Sequence, residues 1–306
     1  MTATETDPTD GPDVAQAEGI GGQSKSFGRQ TMENFLRHKL ALAGLVIFVM
    51  IVVVTFLAPR LTSYSYDEIN AADRAQGPSV DHLFGTDELG RDLWVRIWDG
   101  TYQSLRIALV VALVSTGIGG FLGAMAGYFG RWTDVLVTQL INLLLVVPGI
   151  VVLAVAGIKW GSKPFTMGVL LACLLWIRIA RVVRAQFLSL KESEYVQAAR
   201  ALGAGSPRII VRHLLPAVMG PMLVEVTLVA SLAIGLEATL SFLGLGVQPP
   251  VPTLGNIINE FKGALDSRPS RVLIPGGILV TIALSLNFIG DGLRDALDPK
   301  SKKVRA

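Results

Sequence analysis

The sequence predicts an all-α membrane protein with six transmembrane helices and both termini in the cytosol. Composition is the first sign: 51% of the 306 residues are hydrophobic and 17% are charged, whereas a soluble domain carries about 25% charge. Second, apolar runs of about 20 residues, long enough to cross a bilayer, recur along the chain. Third, the basic residues are unevenly shared. With six spans and cytosolic ends, 17 of the 27 Lys and Arg fall on the cytosolic side, the asymmetry of the positive-inside rule. Lys plus Arg exceed Asp plus Glu only by 27 to 24, too little to point to nucleic acid. The single cysteine, Cys173, excludes an internal disulfide framework and reads as a small packing residue in an apolar run.

Residues 1–24 hold acids, Gly, Pro and Thr with almost nothing to bury, and read as a disordered cytosolic tail. A cytosolic lead-in over 25–39 ends in Arg37-His38-Lys39, which abuts an apolar run at 40–58. A cleavable signal would start basic and have a shorter apolar core, so this run reads as a retained first span. An extracytoplasmic loop is expected over 59–103. It holds HLFGTDELGRD (82–92), in which Thr86 or Asp87 can cap a short helix. Leu93, Trp94, Ile97 and Trp98 then share a helical face suited to the membrane surface. A structural role for this segment is preferred over contact with an extracytoplasmic partner protein. Metal binding by His82 with Asp87 or Asp92 is the weakest reading.

The membrane core is expected over 104–290, with spans at 104–128, 134–157, 165–185, 217–240 and 272–290. Gly119, Gly123 and Gly127 repeat G-x-x-x-G in the second span, a spacing that lets helices approach closely. Packing is the preferred reading, and a sliding contact used in gating is the alternative. Arg178, Arg181 and Arg184 end the fourth span on one face, where long side chains can reach headgroups. Glu225 and Glu237 fall within the fifth span; intramembrane acids are costly and mark functional positions by default. Both are candidates for a pore or gate, Glu225 the deeper and Glu237 near the outer surface. A hydrogen-bonded packing role and proton coupling stay open for Glu225. SFLGLGVQPPVPTLGNII (241–258) is broken by Gly and Pro and reads as an outer loop or gate element. Asp291, Arg294 and Asp295 open a cytosolic tail over 291–306 and read as a solvated helix end.

Between the fourth and fifth spans, 189–216 looks soluble and is expected in the cytosol. Ser189-Leu-Lys-Glu192 has capping-box spacing. Tyr195 to Leu202 are helix formers, and Gly203 suits the left-handed residue after a helix end. Gly205-Ser206-Pro207 supplies a turn, a capping hydroxyl and a proline for the first helical position. Arg208 to Leu215 can form a second helix that Pro216 ends. Twenty-odd ordered residues with paired caps exceed what a connector needs, and tethering between spans counts against a DNA-reading role. A docking element for a cytosolic partner is preferred.

Absences bound the chemistry. No G-x-x-x-x-G-K-[ST] segment is present to cradle ATP phosphates, and no H-E-x-x-H or paired-Cys metal motif. His38, His82 and His213 lie far apart in the topology and suggest no catalytic cluster.

Gln197-Ala198-Ala199, Gly203 and Leu215-Pro216 resemble the EAA loop of permease subunits of binding-protein-dependent ABC importers. The spacing of that pattern matches throughout, with Gln197 in place of Glu and His213 in place of Ile. HKLALAGLVIF, HLFGTDELGRD, SFLGLGVQPP and GDGLRDALDP, in that order, are similar to the C-type subunit of the dipeptide/oligopeptide branch. Leu254 stands where that family often has Trp. The resemblance implies a type I ABC importer-like permease in the inner membrane of a bacterium, non-catalytic and without a cofactor. ATP and Mg would be held by two ATP-binding subunits, or one heterodimer of them. A B-type sibling permease and an extracytoplasmic solute-binding protein would complete the assembly. The resemblance also implies that Tyr195, Gln197, Ala198, Ala199, Ala201, Leu202, Gly203, Ala204, Ser206, Pro207 and Arg208 dock the ATP-binding subunit. Peptides are the expected cargo. Nickel or another small solute in the same architecture, and a stand-alone ion-coupled transporter using Glu225, are the alternatives.

Overall fold

A computed structural model describes residues 27–160 and 163–297. The expected tail at 1–24, the first two residues of the lead-in and the chain beyond 297 lie outside the described residues. All named elements among them are helical. Five helices are long and apolar enough to span a membrane, and a sixth span is formed if one bent pair counts as a unit.

The lead-in forms helix α1 (Phe27–Arg37) and breaks at His38, whose Nδ1 accepts a hydrogen bond from Ala41 N and so caps α2 (Lys39–Leu57). Phe35 and Ala41 pack with Ala296 at the end of α11 (Ser270–Leu297). Gly292 leaves room for the Ala41 methyl, and His38 Nε2 lies 3.3 Å from Asp295 Oδ2. Asp291, Arg294 and Asp295 are exposed there.

Helix α3 (Leu93–Phe129) is 37 residues long. The expected surface helix at 93–98 is therefore not separate: its indoles sit on the first turns of the span itself. Nothing in 99–103 breaks the ladder, and Asp92 rather than Thr86 or Asp87 caps it, accepting from Val95 N. Trp94 donates to Ala58 O at 3.1 Å and meets Phe84 and Trp98 edge-on. The expected third span is bent by 81° into α4 (Arg131–Val146) and α5 (Gly149–Trp160). Pro148 is the cause: its ring pushes Val147 to φ −86°, ψ 130° and removes one ladder donor.

Helix α6 (Pro164–Leu190) lies along α3. The glycine ladder makes this contact. A Cβ on Gly119 would stand 2.6 Å from Trp176 O, on Gly123 2.5 Å from Ala180 O, and on Gly127 2.5 Å from Phe187 Cβ. Backbone therefore touches backbone over two turns, the packing role expected of these residues. Cys173 faces outward on α6 rather than into this contact. Beyond α6 come α7 (Glu194–Ala201), α8 (Ser206–Ile209) and α9 (Leu215–Phe242). One core cluster joins α3, α6 and α9 through Ile107, Val111, Ile179, Val183, Val218 and Val229. At the end opposite the α7–α8 hairpin, the glycine- and proline-rich segment contains α10 (Leu254–Phe261), so 241–258 is not wholly a loop. Thr253 and Asn256 cap it reciprocally, and Leu254 is fully buried beside α3 and α9.

The tight contact predicts a split between neighbouring glycines. Gly123→Ala is expected to destabilise the detergent-purified chain by about 1–3 kcal/mol through overpacking. Gly117→Ala, with nothing within 4 Å of the added carbon, is expected to be neutral or stabilising by about 0.5–1 kcal/mol. Thermal unfolding midpoints of the two variants check this.

Candidate functional site

The hairpin is built on the end of α6. The Ser189–Glu192 capping box does not form, because α6 runs on to Leu190 and Ser189 lies inside it. Ser193 takes the N-cap position of α7, and its hydroxyl donates to Leu190 O. Gln197 Nε2 donates to Glu192 O at 2.9 Å. A carboxylate at 197 has no proton to give that carbonyl, which provides a physical reason for the amide found here.

Helix α7 ends in a Schellman motif. Gly203 N bonds to Arg200 O at 2.9 Å, Ala204 N to Ala199 O at 3.0 Å, and Gly203 has φ +83°. Val196, Ala199, Ile209 and Leu214 point into the core. Tyr195, Gln197, Ala198, Ala201, Leu202, Gly203, Pro207 and Arg208 are exposed, while Ala204 and Ser206 are half-buried. The expected docking residues thus form one compact corner, with Ala199 alone turned inward. Leu202 is 89% exposed, a large apolar side chain at the apex. Arg200 stacks 5.9 Å from the Tyr128 ring and ties the corner to α3.

Two expectations about the second arm need correction. Gly205, not Ser206, is the N-cap, and Pro207 follows Ser206 in the first turn of α8. Nor does Pro216 end the helix. Residues Ile210–Leu214 form a π turn in which Leu215 N bonds to Ile210 O. The extra residue shifts the ladder where Pro216 offers no donor. Ser206–Phe242 is therefore one helical run of 37 residues, about 55 Å long at 1.5 Å per residue. His213 lies half-buried in the π turn.

Arg178 and Arg184 leave α6 in different directions. Arg184 grips Asp134 of α4 through Nε and, at 2.9 Å, through Nη2. Arg178 Nε lies 3.4 Å from Glu225 Oε2 of α9. Arg181 is exposed between them. The two acids of α9 part company. Glu225 borders a cavity of ≈ 990 Å³ between α6, α9 and α11. Glu237 has no exposed surface; it accepts from Ser104 at 3.2 Å and Ser241 at 2.8 Å. Ser104 in turn accepts from Leu254 N. Glu237 is a buried link among α3, α9 and α10 in the last turns of α9.

The far end is closed by a charged cluster. Asp87, 1% exposed, accepts from Leu89 N, Arg91 N, Arg91 Nε and Arg96 Nη1. Arg96 Nη2 reaches Glu260 of α10 at 2.6 Å, and Arg271 of α11 holds Glu88 at 2.8 Å and Thr86 O. His82 Nδ1 lies 2.8 Å from Asp92. Gly90 has φ +80°, and a Cβ there would collide with Asn70 O. HLFGTDELGRD therefore acts as a structural clamp.

Residues 119–303 match the family described as binding-protein-dependent transport system inner membrane component. The chain belongs to this family. Residues 26–78 match the N-terminal transmembrane domain of oligopeptide transport permease C. The permease is 38% identical over 290 residues to the oligopeptide transport system permease protein OppC of Bacillus subtilis (strain 168), covering 95% of each chain. It is 39% identical over 275 residues to the dipeptide transport system permease protein DppC of Alkalihalophilus pseudofirmus, covering 90% of each. Its fold resembles a chain of the MetNI methionine ABC transporter in an inward-facing conformation. That likeness has a TM-score of 0.53 at 21% identity over 64% of this chain and 94% of the other.

Sequence reasoning missed Arg96, Glu260 and Arg271 of this permease, and the partnership of Arg178 with Glu225. No local pattern pairs residues 164 positions apart, as Arg96 and Glu260 are. Removing Asp87 takes the buried carboxylate from Arg91 and Arg96 and leaves them to share Glu260. Asp87→Ala is expected to cost about 3–5 kcal/mol, the penalty for breaking a buried ion pair from one side. It should also open the 59–92 segment to protease. Limited proteolysis and thermal unfolding in detergent check both outcomes.

Proposed function

We propose that this permease is the non-catalytic transmembrane subunit of an ATP-driven importer in a bacterial plasma membrane. With a B-type sibling permease it encloses a path for di- or oligopeptides brought by an extracytoplasmic solute-binding protein. Its N- and C-termini and the α7–α8 corner lie in the cytosol. Two ATP-binding subunits, which hold ATP and Mg, dock on that corner. The distribution of Lys and Arg supports the orientation. The names of the relatives, oligopeptide and dipeptide transport system permease proteins, support the cargo.

One observation carries the reading: an exposed, sharply capped corner continues into a single 37-residue helix through the membrane core. An apex such as Leu202 seeks a partner groove. A partner that binds it differently in its ATP-bound and ATP-free states can bias two arrangements of α6 and α9, because differential contact is what shifts such an equilibrium. The lever is long enough, since the hydrocarbon core is only about 30 Å thick.

Gly203→Val tests the corner itself. No atom lies within 4 Å of the added Cβ, so the effect is conformational, about 1–2 kcal/mol for a left-handed non-glycine residue. Membrane insertion and subunit copurification are expected to survive, and substrate-stimulated ATP hydrolysis to fall. Leu202→Asp is expected to weaken copurification of the ATPase. Normal stimulated hydrolysis in both variants, or ATP-independent uptake by this chain alone in liposomes, would sink the reading.

A further inference from the structure

The face shared by α6, α9 and α11 carries polar groups that neither the corner nor the far-end clamp uses. Two cavities open on it, stacked along α9. The ≈ 990 Å³ cavity runs from Pro216 to Leu228, with Gln186 and Arg294 in its wall. A second, ≈ 420 Å³, runs from Leu228 to Thr239, with Ser231 and Asn287. Leu228 borders both. The Arg178–Glu225 pair also straddles them, Glu225 lining the first and Arg178 the second.

This pair is unlike the other interhelical ion pairs. Arg184 holds Asp134 through two parallel bonds, and Arg96 bridges Asp87 and Glu260. Arg178 offers Glu225 one long contact of 3.4 Å through Nε, and its side chain is 50% exposed. Among the described residues, the two Nη groups of Arg178 and Oε1 of Glu225 have no hydrogen-bond partner. A guanidinium fork suits a carboxylate, and intramembrane charges facing a cavity mark substrate pathways. A cation and an anion on adjoining cavity walls are complementary in charge to the two ends of a peptide once the pair parts.

We propose that Arg178 and Glu225 are the substrate-facing charged site of the path, Arg178 receiving the carboxylate of a zwitterionic peptide and Glu225 its ammonium group. Without peptide the pair closes on itself between the two cavities. With peptide, one long contact is exchanged for two charge-assisted ones. This rests on the importer reading above.

The test uses the complete reconstituted transporter with its binding protein, ATPase and sibling subunits, in a Cys173→Ser background, with Ala-Ala-Ala as the probe. Arg178→Gln and Glu225→Gln are each expected to lower uptake per ATP hydrolysed by about 10- to 100-fold, the worth of one hydrogen bond to a charged group. Binding-protein-stimulated hydrolysis should persist. Gln186→Cys and Asn287→Cys leave the pair intact. Without peptide, an impermeant maleimide should label the first only from the hairpin side and the second only from the opposite side. Wild-type uptake ratios in both neutral variants overturn the proposal. So does labelling of both cysteines from one side, or of neither, which would mean that the face is packed against the sibling subunit. If the neutral variants fail to assemble, the labelling pattern decides alone. Absence of ATP-driven uptake by the unmutated transporter would instead count against the importer reading.

Discussion

The backbone contact between α3 and α6 is the interaction on which the rest of the structure stands. Lipid tails solvate leucine as well as a neighbouring helix does, so apolar burial does not drive helices together in a bilayer. Dispersion at close range does, and only small residues allow it. Gly119, Gly123 and Gly127 bring α3 against the carbonyls and Cβ atoms of Trp176, Ala180 and Phe187. Helix α6 is fixed by this contact, and α6 in turn presents Arg184 to α4, Arg178 to α9 and its own last turn as the base of the hairpin.

From that base the chain builds a stiff corner. The Schellman bonds hold the turn, Gln197 ties α7 back to Glu192 O, and Arg200 rests on Tyr128. The return arm does not stop at the membrane segment. The π turn at Ile210–Leu214 carries the ladder past Pro216, so the second arm of the hairpin and α9 form one helical run. On the proposed reading, force applied at Leu202 crosses only the Schellman turn before it enters the helical run to the wall that holds Glu225. The opposite end carries the clamp centred on Asp87, which ties α3, α10 and α11 together and takes no residue from α9.

What the sequence made legible were the features governed by local chemistry. Hydropathy marks α2, α3, α6, α9 and α11 because each must satisfy its own backbone in lipid. Four-residue glycine spacing tells which face of α3 packs, and the residues around Gly203 foretell a left-handed corner. Other features depend on contacts far apart in the chain. Glu260 meets Arg96, and Glu225 meets Arg178, across distances that periodicity cannot see. The π turn reflects a ladder shift of one residue, invisible in composition. The bend at Pro148 is different. Pro148-Gly149 is a local breaker signal, overridden in the expected third span by the strength of the surrounding apolar run.

Distances between paired spin labels in the complete reconstituted transporter, with Cys173→Ser throughout, bear most directly on whether the corner and α9 move as one. Val211, Leu232 and, on α3, Leu113 are exposed positions for them. A rigid lever predicts that adding ATP leaves the Val211–Leu232 distance, about 30 Å along the helix, unchanged, while both labels shift relative to Leu113. A shift of Val211 with Leu232 fixed relative to Leu113 would contradict it.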